Sequence, residues 1–76
     1  MDLKGKNVLL MGLGILGGGV ATVRFLVENG AKLTVTDLKD EEFLKPSLDK
    51  LKDLDIKYVL KKHVEQDFLE TDILVI

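Results

Sequence analysis

Asn7-Val8-Leu9-Leu10-Met11-Gly12-Leu13-Gly14-Ile15-Leu16-Gly17 holds two signals back to back. Asn7 to Met11 is a short apolar run without alternation, the pattern of a strand buried on both faces of a parallel sheet. Gly12, Gly14 and Gly17 then fit G-x-G-x-x-G. In that arrangement Gly12 permits a tight turn, Gly14 lets the backbone approach a ligand, and Gly17 lets helix and strand pack closely. From Ile15 the period changes. Leu16, Val20, Val23 and Val27 recur at steps of four, three and four, one stripe of a helix. A helix opening on this turn presents unpaired N–H groups and the positive end of its dipole, a setting for a diphosphate.

Working outward, Asn29-Gly30 stops the helix, with Gly30 suited to the left-handed conformation past its end. Leu33 and Val35 alternate with Thr34 and Thr36 in a second strand ending at Asp37. Helix signals return after Pro46, which suits a first helical turn, with Leu48, Leu51 and Leu54 as the buried face. Ile56 to Leu60 reads as a third strand and Ile73 to Ile76 as a fourth, with a turn or short helix over His63 to Glu70. This order predicts an α/β, Rossmann-like three-layer fold. Its parallel sheet has about four strands in the order 3-2-1-4, with helices on both faces. Residues 1–76 make one domain, since 76 residues sit below the roughly 100–200 typical of each domain. That is small for a self-sufficient enzyme, so a piece of a longer multidomain chain is expected.

Composition narrows the function classes. Eleven Lys+Arg against thirteen Asp+Glu give a net charge of −2, which excludes an electrostatic grip on nucleic acid. No cysteine and a single histidine exclude a disulfide framework and a Cys/His zinc site. The uncharged stretch between Lys6 and Arg24 mimics a membrane span, but Gly12, Gly14, Gly17, Gly18 and Gly19 interrupt it, so no membrane partner is expected. Gly18 and Gly19 are costly inside a helix, at about 1 kcal/mol each relative to alanine, and suggest close contact with the sheet, a ligand or a neighbouring domain, with drift as the plainer alternative.

The glycine turn gains weight from Asp37, twenty positions after Gly17 at the end of the next strand. A carboxylate there accepts hydrogen bonds from ribose hydroxyls or a base N–H, and favours NAD over NADP. The plainer alternatives are a tight turn that binds nothing and a polar loop in which Asp40 caps a helix. Lys39 either offsets a phosphate or is solvated. His63 reads as a hydrogen-bonding structural residue more readily than as a base. No nucleophile–base pair, carboxylate dyad, metal cluster or P-loop is present, so no catalytic residue is assigned.

Gly5-Lys6-Asn7-Val8 leading into Gly12-Leu13-Gly14, then Asn29-Gly30-Ala31 and Val35-Thr36-Asp37, resembles the start of the MurD-type muramoylalanine–D-glutamate ligases. The string His63-x-x-x-Asp67-Phe68 followed by Thr71-Asp72-Ile73-Leu74-Val75 strengthens the resemblance, which spans nearly the whole chain. It implies an N-terminal Rossmann-like domain that holds the UDP end of UDP-N-acetylmuramoyl-L-alanine. The domain would be inactive alone and partnered by central and C-terminal ligase domains. ATP and magnesium would be bound by the central one and D-glutamate delivered by the other, in cytoplasmic peptidoglycan precursor synthesis. By this resemblance the substrate-binding residues are Gly12, Gly14, Ile15, Leu16 and Gly17 of the turn, with Asp37, Leu38 and Lys39 bordering the uracil. The fragment itself carries no cofactor or metal. Two positions depart from the family: Leu16 stands where many members have Ser or Thr, and Lys61 where a glycine is common. The Ser/Asn-Pro-Gly loop expected after the fourth strand lies beyond Ile76. An NAD-binding dehydrogenase domain and a non-catalytic interaction domain remain the alternatives.

Overall fold

Val8, Leu9 and Leu10 are each no more than 3% exposed because the strand they form, β1 (Asn7–Met11), lies between two others and is covered on both faces. The computed structural model describes residues 1–76. After β1 come α1 (Gly18–Glu28), β2 (Lys32–Asp37), α2 (Glu41–Asp49), β3 (Lys57–Leu60), α3 (Glu65–Glu70) and β4 (Ile73–Val75). Every pairing is parallel and the strand order is β3-β2-β1-β4, as the sequence order predicts. No helix is long and apolar enough to cross a membrane.

Register sorts the side chains. Leu9 lies opposite Thr34, Leu10 opposite Val35 and Met11 opposite Thr36. Val8, Leu10, Leu33 and Val35 therefore face one side, where Val23 and Leu26 of α1, Leu44 of α2 and Leu51 complete the main core. Fully burying a leucine contributes about 2 kcal/mol, so Leu44 and Leu51 alone hold α2 and the turn after it firmly to the sheet. Thr36 faces the other side, where His63 and, against it, Phe68 of α3 cover the sheet. Helices thus occupy both faces.

Three expectations need correction. Leu16 is not on the buried stripe of α1; it is 97% exposed in the turn, and the helix begins only at Gly18. Val20, Val23 and Val27 keep to the core side as expected, and Leu26 joins them there. The second helix starts before Pro46 rather than after it: Asp40 caps it by accepting from the Phe43 N–H at 2.8 Å, and Pro46 lies inside. The carbonyl that Pro46 leaves without its helical donor belongs to Glu42, an exposed residue of the first turn. Leu51 and Leu54 then lie past the helix end, and Leu44 and Ser47 form its buried side.

The third correction concerns which glycine brings helix and strand together. A Cβ on Gly17 would meet nothing, whereas one on Gly19 would sit 1.8 Å from the Leu13 carbonyl oxygen. Close approach therefore falls to Gly19, and Gly17 instead turns the chain into α1 with φ +96°. At Gly18 no neighbouring atom accounts for the missing side chain.

Candidate functional site

The turn between β1 and α1 is built by hydrogen bonds from β2. Gly12 N–H donates to the Thr36 carbonyl at 2.8 Å, extending the ladder one step beyond β1. Leu13 N–H donates to Asp37 Oδ2 at 2.8 Å, and Gly14 N–H lies 3.5 Å from the same oxygen. Asp37 Oδ1 accepts from the Lys39 N–H at 2.9 Å. Only 8% exposed, the Asp37 carboxylate thus ties the glycine turn to the end of β2. Burial pushes its proton affinity up, but the N–H donors of Lys39, Leu13 and Gly14, helped by nearby His63, outweigh that and hold the carboxyl below its ordinary pKa.

On the other side of the turn, Ser47 of α2 donates its hydroxyl to the Gly14 carbonyl oxygen. Beyond Gly14 the main chain is left free. The N–H groups of Ile15 to Val20 have no partner in the protein, and the helical ladder begins with Ala21 donating to the Gly17 carbonyl at 3.1 Å. No acidic side chain lies in the first turn of α1, and no side chain caps it. This run of donors at the positive end of a helix, beside the carboxyl ends of β1 and β2, suits an anionic ligand.

A second brace comes from the turn after β3. Lys61 takes φ +71° and donates its N–H to the Lys39 carbonyl at 3.1 Å, and Lys62 pairs with Asp37 in an isolated bridge. The Thr36 hydroxyl, fully buried, lies 3.1 Å from the Lys62 carbonyl and 2.7 Å from His63 Nδ1. Donating to the carbonyl, it accepts from Nδ1–H, and His63 meets the Phe68 ring edge-on with centroids 6.0 Å apart. His63 is therefore a hydrogen-bonding structural residue in the site's support. Lys61 stands in a left-handed conformation where the family resemblance leads one to expect glycine.

Gly12, Gly14, Ile15, Leu16, Gly17, Asp37, Leu38 and Lys39 are brought to one end of the sheet, but they do different things. Gly12 is consumed by the ladder and Asp37 by the turn. Ile15, Leu16 and Leu38 are exposed, the last by 65%, and Lys39 Nζ lies 5.0 Å from the centre of the Phe43 ring. Exposed apolar chains beside main-chain donors make a rim suited to a planar base next to an anion. Sequence reasoning missed Ser47, Thr36 and Phe43. The available signal for Ser47 was a polar residue three positions after Leu44 on the apolar side of its helix. A separate cavity of about 570 Å³, lined by residues including Asn7, Thr34, Lys57 and Asp67, opens near the amino ends of the strands, away from this site.

Comparison with known proteins finds sequence relatives along the whole chain. The family described as Mur ligase MurD-like, N-terminal domain, matches residues 6–76. A UDP-N-acetylmuramoylalanine–D-glutamate ligase of Borreliella afzelii is 54% identical over 76 residues, covering 97% of this chain and 17% of that protein. Ligases of the same name from Geobacter metallireducens and Roseiflexus are 47% and 48% identical, covering 100% and 99% of this chain and 16% of each relative. The chain thus spans about one sixth of the length of these relatives.

Proposed function

The chain belongs to the MurD-like N-terminal domain family of Mur ligases, and on that premise we propose that it binds the nucleotide end of UDP-N-acetylmuramoyl-L-alanine. The observation that carries this reading is the run of unpartnered N–H groups from Ile15 to Val20 at the head of α1. Those donors receive the diphosphate. Main chain at Gly14, Ile15 and Leu16 lies along the nucleotide, and Asp37, Leu38 and Lys39 border the uracil. With Leu16 in place of a hydroxyl residue, ligand contact at that position is main-chain and apolar.

The reaction served is ATP-driven amide formation with D-glutamate, in peptidoglycan precursor synthesis in the cytoplasm. Within it, this segment's residues bind and orient the substrate. ATP and magnesium belong to other parts of a longer ligase, which also supply this chain's domain partners. Against a dehydrogenase reading stands Asp37, which is only 8% exposed and turned toward the Leu13 and Lys39 N–H groups rather than held out for a ribose.

The test is a backbone-amide NMR titration with UDP-N-acetylmuramoyl-L-alanine and with NAD. Saturable shifts at Ile15 to Val20 and at Leu38 to Lys39 with the UDP ligand alone are expected. The same shifts with NAD alone would assign the site to a dinucleotide, and shifts with neither ligand would reject both.

A further inference from the structure

Ser47 is 2% exposed on the buried side of α2, yet its hydroxyl does not serve its own helix. A helical serine commonly donates back to the carbonyl four residues earlier. Here the donor crosses to Gly14, 33 positions away in sequence. Gly14, like Gly12 and Gly17, is a loose point of the turn: its φ is +67° and no neighbouring atom lies within 4 Å of where a Cβ would be. Its own N–H reaches Asp37 only at 3.5 Å, beyond the usual range for a strong bond. No side chain of its own restrains Gly14, and the Ser47 bond is the tether on its carbonyl.

We propose that Ser47 is a positioning residue for the nucleotide site: by holding the Gly14 carbonyl it orients the Ile15 N–H toward the bound anion. The reason is geometric. In a trans peptide the C=O and the following N–H point in opposite directions, so fixing one fixes the other. Ile15 supplies the first of the free donors, and a glycine before it makes rotation of that peptide easy once the tether is cut. A rotated peptide aims a carbonyl at the anion instead of a donor. The proposal rests on the nucleotide-site reading above.

The experiment compares the wild-type chain with S47A and S47C, using UDP as the probe. S47C keeps the shape of the buried side chain but donates poorly, which separates hydrogen bonding from packing. Both variants should bind UDP about fivefold more weakly, the size of one net hydrogen bond. In the ligand-free state both should shift the Gly14 carbonyl-carbon and Ile15 amide-nitrogen resonances. Should S47A not fold, S47C carries the comparison. UDP affinity equal to wild type in the variants, even with a lower melting temperature, would overturn the proposal and leave Ser47 a packing residue. A wild-type chain whose Ile15 to Val20 amides ignore UDP would overturn the site reading itself, and this proposal with it.

Discussion

Asp37 shows how one carboxylate shapes a site through the main chain it holds. Replacing it with Asn keeps size but turns one acceptor into a donor, leaving a buried N–H of Leu13 or Lys39 unpaired. D37N should lose about 2 kcal/mol of stability, read as a lower urea midpoint near neutral pH. The pH dependence follows from the lowered carboxyl. As pH falls, the unfolded chain, with its ordinary carboxyl, takes up the proton before the folded one. Stability from Asp37 is thus complete above the ordinary carboxylate range and is lost as pH falls through the lowered native value. The acid limb of stability against pH should be flatter in D37N; parallel limbs would mean that other carboxylates dominate it. Its place at the end of a strand was legible in the sequence. That its oxygens turn inward was not, because spacing alone does not say which main-chain donors lie nearest.

At the scale of elements, the opening of α1 separates two neighbouring glycines that look alike in sequence. Gly19 faces the Leu13 carbonyl, where a Cβ would sit 1.8 Å from the oxygen, while Gly18 faces open space without a positive φ. G19A should therefore cost more than 2 kcal/mol by forcing helix and strand apart. G18A should gain about 0.5–1 kcal/mol through helix propensity and a less flexible unfolded chain. Thermal melts of the two variants check this, and destabilisation of equal size in both would refute the assignment. The strands were the easiest elements to read: β1 coincides with its apolar run, and β2 ends at Asp37 as its alternation predicts. Helix starts were harder, since Leu16 and Pro46 each sit where a periodic pattern and a turn signal compete. In both cases packing decided, through Gly19 at one start and the Asp40 cap at the other.

For the whole molecule, the sheet is uneven in its protection. One rim, β3, begins at Lys57 and is followed at once by Lys61, and these lysines discourage edge pairing. The other, β4, carries Ile73, Leu74 and Val75 with no charge, and Ile73, Leu74 and Ile76 are 36%, 43% and 90% exposed. An apolar uncharged rim invites pairing, so the 76-residue chain should sediment as larger species with rising concentration, and L74K should return it toward the monomer. Concentration-independent sedimentation of the wild type would contradict this. The strand order was legible because element order and handedness leave few choices, whereas the bracing of the glycine turn by Ser47 and by the turn after β3 joins segments that no local pattern connects. One consequence of the free donors at Ile15 to Val20 reaches further. They belong to peptide groups, so exchanging the side chains at 15 or 16 leaves them in place. A ligand seated on them would meet the same donors in almost every variant of the turn. Only a proline in the turn, which has no N–H, or damage to the turn's supports would remove them.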